Sequence, residues 1–100
     1  MTLRSLERSH DPVAHSIHRR VAALRLILRS DCLHGEVVKK DRIPSELKAR
    51  HGIRNLYVED LPAFWRLLYT VGRHGRERYV TIFAIVDHRN YTKLFRRRHG

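Results

Sequence analysis

Cysteine occurs once in this chain, at Cys32, which excludes an intrachain disulfide and any cysteine cluster that would hold a metal within one copy. A reducing cytoplasm is the expected setting. Long apolar runs are also missing. The longest, VTIFAIV, is far shorter than the roughly 20 residues of a membrane helix, and the opening MTLRSLERSH has no apolar stretch of signal-peptide length. The chain is expected to be neither secreted nor membrane-spanning. Acidic residues are scarce, with ten Asp and Glu against 21 Lys and Arg and a formal net charge of +11. Such a field attracts polyanions, so nucleic acid is the first class of partner to consider and an acidic protein the second. There is no internal repeat, no low-complexity tract and no linker beyond GRHGRER, and one hundred residues leave room for a single domain, residues 1–100, with one modest core.

What is present is a change of hydrophobic period along the chain. DPVAHSIHRRVAALRLILRS reads as a helix, with Asp11 as its cap, Pro12 at its first position and Val13, Ile17, Val21, Leu24 and Leu28 as its apolar stripe. DCLHGEVVKKDR reads as a connector with a turn at Gly35. IPSELKARHG reads as a second, short helix between Pro44 and Gly52. From Ile53 the pattern alternates, predicting strands in IRNLYV, LPAFWRLLYTV and RERYVTIFAIVDH joined by the turns EDLP and GRHGR. Turns this short favour an antiparallel meander. The expected fold class is α+β, with two N-terminal helices packed on one face of a small antiparallel sheet. The tail RNYTKLFRRRHG is left as a short helix or strand.

An arginine stands in the middle of the most apolar of these strands, AFWRLLYTV. Alternation puts Trp65, Leu67, Tyr69 and Val71 on one side and Phe64, Arg66, Leu68 and Thr70 on the other. If helices cover the Trp65 side, Arg66 stands on the uncovered face, where a guanidinium meets solvent or an anion without a burial penalty. In the third strand Val80, Ile82, Ala84, Val86 and His88 share one side and Tyr79, Thr81, Phe83, Ile85 and Asp87 the other. Being apolar on both sides, it is expected to be central.

Cleavage of RNA by its own 2′-hydroxyl needs a proton acceptor, cations for the developing phosphate charge and an acid for the leaving oxygen, and it needs no metal. His88 is the side chain best suited to proton transfer, Arg66 and Arg89 to phosphate, Tyr91 to stacking or proton transfer, and Phe64 to stacking on a base. Tyr91 acting as a base would require a strongly lowered pKa. Lys39, Lys40, Arg54 and the run Arg96, Arg97, Arg98 are candidate phosphate contacts. Each has a plainer reading. Arg66 can pair with Glu59 or Asp87 across the sheet, His88 can be a satisfied core histidine, and Tyr91 and Phe95 can pack a terminal helix. The basic runs can simply be solvated. Eight histidines raise a metal site, especially His15 and His18 on one helical face, but three-residue spacing is weak and no carboxylate or cysteine completes a set, so no metal and no cofactor is expected.

NLYVEDLPAFWRLLYTV followed by YVTIFAIVDHRNYTKLF resembles the C-terminal sheet of RelE/ParE-superfamily toxins, FWRLLY being the most specific piece and DHRNY the second. The resemblance covers roughly residues 11 to 96. It implies a RelE-like toxin of a toxin–antitoxin pair, a ribosome-dependent endoribonuclease that cuts messenger RNA and is neutralised by an acidic antitoxin. A homodimer is left open. It also implies that Arg66 is the motif arginine and Tyr91 the C-terminal tyrosine, with His88 and Arg89 in the preceding segment. Family cleavers often carry lysines where this chain has Asn55, Leu56 and Tyr57, and the family's N-terminal strand is poorly visible in MTLRSLERS. The alternative is a non-enzymatic member of the same fold, either a ParE-like topoisomerase inhibitor or an inactive homologue that binds RNA or a protein.

Overall fold

The computed structural model describes residues 11–96. The first helix, α1 (Pro12–Ser30), begins where the sequence places it, because the Asp11 carboxylate accepts the Val13 N–H at 2.9 Å. Its buried stripe is Ala14, Ile17, Val21, Leu24 and Leu28. Val13, expected in that stripe, is exposed, and Ala14 takes its place three residues before Ile17. The chain continues through β1 (Glu36–Val37), α2 (Ser45–His51), β2 (Tyr57–Asp60), β3 (Arg66–His74), β4 (Glu77–Val86) and α3 (His88–Phe95). A single 3₁₀ turn occupies Lys40–Arg42, and Pro62–Phe64 forms an irregular turn. Among the described residues no helix is long and apolar enough to cross a membrane.

The four strands form one antiparallel sheet in the order β1, β2, β3, β4. The α+β class and the meander of the last three strands agree with the sequence pattern. The packing of the helices differs from the expected single layer. Leu67 and Tyr69 point towards α1 and join its stripe in one core cluster. Leu68, between them in sequence, joins Leu47 of α2 and Leu56 and Val58 in a second cluster, against which Tyr91, Leu94 and Phe95 of α3 pack. The sheet therefore carries α1 on one face and α2 with α3 on the other. This also corrects the expectation that the last strand is central. Among the described residues β4 is an edge strand, and it is apolar on both sides because both faces of the sheet are covered.

Three local features set the geometry. Leu68 opposes Ala84 but Tyr69 opposes Ile82, so Phe83 is an extra residue in β4. That bulge breaks the alternation read from sequence, bringing Ile85 onto the same side as Ile82 and Val80. The segment before β2 is not strand from Ile53 onward. The Asn55 amide bonds both the N–H and the C=O of Val71 at 2.8 Å, replacing ladder bonds with a side-chain clamp. Gly75, at φ 62°, opens the tight β3–β4 turn. The tail resolves as α3, capped by the Asp87 carboxylate accepting the Asn90 N–H at 2.8 Å. The stretch in which an N-terminal strand is poorly visible, MTLRSLERS, lies outside the described residues.

Candidate functional site

The strand register assembles the candidate site. Arg66 opens β3, faces Asp60 at the end of β2 and faces Val86 at the end of β4. Two residues beyond Val86 the chain begins α3, so His88 and Tyr91 come up beside Arg66 and the turn that precedes it. The site therefore forms at one end of the sheet, where the β2–β3 turn meets the β4–α3 junction.

Arg66 is held on three sides. Its Nε lies 3.1 Å from Oδ1 of Asp60, one Nη donates to the Trp65 carbonyl at 3.1 Å, and its Cζ sits 5.5 Å from the centre of the Tyr91 ring. An ion pair was expected with Glu59 or Asp87. Glu59 is instead buried on the α1 side against His34 at 2.7 Å, and Asp87 caps α3. The Arg66 side chain keeps 21% of its surface exposed, while that of its partner Asp60 keeps 86%. A carboxylate so well hydrated fixes the fork without neutralising it strongly, leaving the guanidinium able to meet a phosphate.

Tyr91 lies between this guanidinium and Phe95, whose ring centre is 4.7 Å away. Burial pushes its phenol above the ordinary value. Arg66 pulls it down, Glu36 and Asp60 push it further up, and burial prevails. The direction is opposite to what a tyrosine base requires, so Tyr91 is a neutral phenol at physiological pH, suited to donating a proton or a hydrogen bond. His88 is exposed at the first turn of α3, not a core histidine, and its ring meets Phe64 edge-on at 6.2 Å.

Phe64 is there because of an unusual turn. Ala63 and Phe64 both adopt left-handed backbone angles, φ 57° and 63°, a conformation that costs L-residues roughly 1 kcal/mol or more each. The turn is closed by Leu61 N–H to Trp65 O at 2.9 Å and Trp65 N–H to Pro62 O at 3.3 Å. The result is a phenyl ring 72% exposed, raised beside His88. No protein-family model matches the chain, and no curated protein or solved structure matches it either.

Four of the residues singled out from sequence, Phe64, Arg66, His88 and Tyr91, are thus brought together. Arg89 follows His88 on the first turn of α3 and is exposed. Others are elsewhere. Arg54 precedes Asn55, which is clamped to Val71, five residues along β3 from Arg66. Lys39 follows Val38, whose N–H bonds Leu56, so Lys39 and Lys40 lie by register towards the same far end as Arg54. Arg96 is exposed at the end of α3, and Arg97 and Arg98 lie outside the described residues. Sequence reasoning missed Asp60 as the partner of Arg66 and the left-handed turn at Ala63. The first was readable from the short span between the strands, which faces Asp60 with Arg66. The second carried no signal, because neither Ala63 nor Phe64 is a residue that favours positive φ.

Proposed function

We propose that this chain is a RelE-like toxin, a ribosome-dependent endoribonuclease that cleaves messenger RNA by attack of the 2′-hydroxyl and is neutralised by an acidic antitoxin. The observation that carries the reading is the convergence of an anchored arginine, an exposed histidine, a neutral phenol and a raised phenyl ring at one end of the sheet. In this account Phe64 stacks on a base beside the scissile bond and holds the nucleotide out of its stack. His88 takes the proton of the 2′-hydroxyl, whose oxygen then bonds to phosphorus. Arg66 and Arg89 meet the charge that builds on the phosphate oxygens. The bond from phosphorus to the 5′-oxygen breaks, and that oxygen takes the Tyr91 proton, leaving a 2′,3′-cyclic phosphate and a 5′-hydroxyl.

The order of two helices before an antiparallel meander and the FWRLLY segment support the family reading. The second reading, a non-enzymatic relative that binds a topoisomerase, RNA or another protein, is favoured by one observation: Arg66 already has Asp60, the Trp65 carbonyl and Tyr91 as partners. Incubating the protein with ribosomes programmed with one defined message separates the two. Cleavage in the decoding site with cyclic-phosphate ends, lost in Arg66→Ala, supports the nuclease. An intact message under the same conditions supports the binding protein.

A further inference from the structure

A glycine in the middle of a strand marks a second feature, at the opposite end of the sheet from Arg66. Gly72 of β3 pairs with Tyr79 of β4, and a Cβ built on Gly72 would collide with the Cζ, Cε2 and hydroxyl of the Tyr79 ring. The ring therefore lies across the neighbouring strand, in the space that a side chain at position 72 would fill. Tyr79 is nevertheless 55% exposed. One side of the ring is seated on backbone and the other is open to solvent.

Alternation fixes the face on which this ring lies. Val71 and Val80 pack against the α1 cluster, so their neighbours Gly72 and Tyr79 point away from α1. On that face α2 ends over Phe83, whose ring meets that of His51 at 5.3 Å, and Thr81 and Tyr79 beyond it are exposed. Cations border the ring on the inner side. The β2–β3 register sets Tyr57 opposite Tyr69, and the Asn55 clamp on Val71 continues it, which brings Arg54 beside Gly72. The Val38 N–H bonds the Leu56 carbonyl, so Lys39 and Lys40 come alongside Asn55 and Arg54. Arg54 is thus two strand spacings from Tyr79, about 10 Å. Among the described residues Lys39, Lys40 and Arg54 form no ion pair, and Glu77, the carboxylate on the Tyr79 face of the hairpin, stands opposite His74.

We propose that this far end of the sheet binds single-stranded RNA, with one base stacked on the open side of Tyr79 and the adjoining phosphates on Arg54, Lys39 and Lys40. An aromatic ring offers the same π surface to every base, so the contact holds a strand without reading its sequence. Charge alone accepts any polyanion, whereas the seated ring asks for an unpaired base. Gly72 is six positions beyond Arg66 in β3, about 20 Å along the strand. The subsite therefore takes a part of the RNA distant from the candidate cleavage point. It rests on the toxin reading for the source of the RNA, a message on the ribosome, but not for the chemistry of stacking.

The test uses the full chain and a fluorescein-labelled oligoadenylate RNA, with an abasic strand of equal length and charge as its control. Fluorescence anisotropy is expected to show the oligoadenylate binding about tenfold or more tighter than the abasic strand. Tyr79→Leu still covers Gly72 with an apolar side chain but offers no ring. It should weaken the oligoadenylate about tenfold and leave the abasic strand unchanged, and Tyr79→Trp should restore the difference. Because both strands are read on the same protein, a general loss of stability in a variant does not imitate this result. Arg54→Glu with Lys39→Glu should weaken both strands alike. The Tyr79→Leu loss should be equally large when Phe64 is already alanine, since the two rings lie at opposite ends of the sheet. Unchanged oligoadenylate affinity in Tyr79→Leu would overturn the proposal. Equal loss for both strands would reduce the far end to a polyanion surface and overturn it as well, and a loss that vanishes in the Phe64→Ala background would return the base to Phe64. None of these readouts uses ribosomes or cleavage, so failure of the nuclease reading and failure of this one are distinguishable.

Discussion

On the proposed reading, Arg66 separates function from stability at the level of one side chain. Its ion pair with Asp60 is open to water and its contact with Tyr91 is a single cation–π approach, so Arg66→Ala is expected to cost no more than about 1 kcal/mol of stability. Removing a preorganised charge from a phosphate site costs about 10²- to 10³-fold in rate, and a cleavage assay beside a denaturation curve checks both numbers. Ala63 predicts the reverse pattern. Glycine accepts φ 57° without strain, so Ala63→Gly should hold or raise the melting temperature while freeing Phe64 and lowering cleavage. Tyr69 predicts a pH dependence. It is fully buried, accepts the Gly35 N–H at 2.9 Å, and burial raises its pKa from 10.0 to about 12. The folded state therefore keeps its proton where the unfolded state has lost it. This stabilisation is complete below pH 10 and is lost as the pH climbs towards about 12. Tyr69→Phe should flatten that part of an alkaline stability profile measured by urea denaturation. An added Cβ on Gly35 would come within 2.8 Å of the same ring, so Gly35→Ala should also destabilise.

Among the elements, α1 was the most legible, since an Asp-Pro start and a four-residue apolar repeat state a helix and its inner face together. The β3–β4 hairpin was legible from alternation and from the glycine in its turn. β1 was not, because its two residues are too short to show any period and it is recruited by pairing with β2. The side of the sheet on which α2 and α3 pack was hidden for a different reason. An apolar strand face records that something covers it, not which helix does. The four residues of the site were readable as candidates, yet their meeting depends on the Arg66 and Val86 register and on α3 starting right after β4. Asp87 enforces that start. Asp87→Ala should cost about 1 kcal/mol, loosen the first turn of α3 and move His88, lowering cleavage more than the stability loss alone accounts for. Comparing amide exchange in α3 with the cleavage rate of this variant tests the link.

Taken as a whole, the molecule is a strongly basic sheet covered on both faces, with the candidate site at one end and basic residues spread well beyond it. Lys39, Lys40 and Arg54 lie too far along the sheet to act at Arg66, so on the proposed reading they would hold a long polyanion rather than take part in the reaction. RNA affinity should then fall steeply with salt, and Lys39→Glu with Arg54→Glu should lower both the affinity and the salt slope while leaving the single-turnover cleavage rate at saturating RNA unchanged. The most direct measurement is to express the protein in cells without an antitoxin and map messenger RNA ends, beside Arg66→Ala at equal abundance. The account predicts growth arrest with new ends inside translated frames, both absent in the variant. Arrest with intact messages, or new ends that persist in Arg66→Ala, would contradict it.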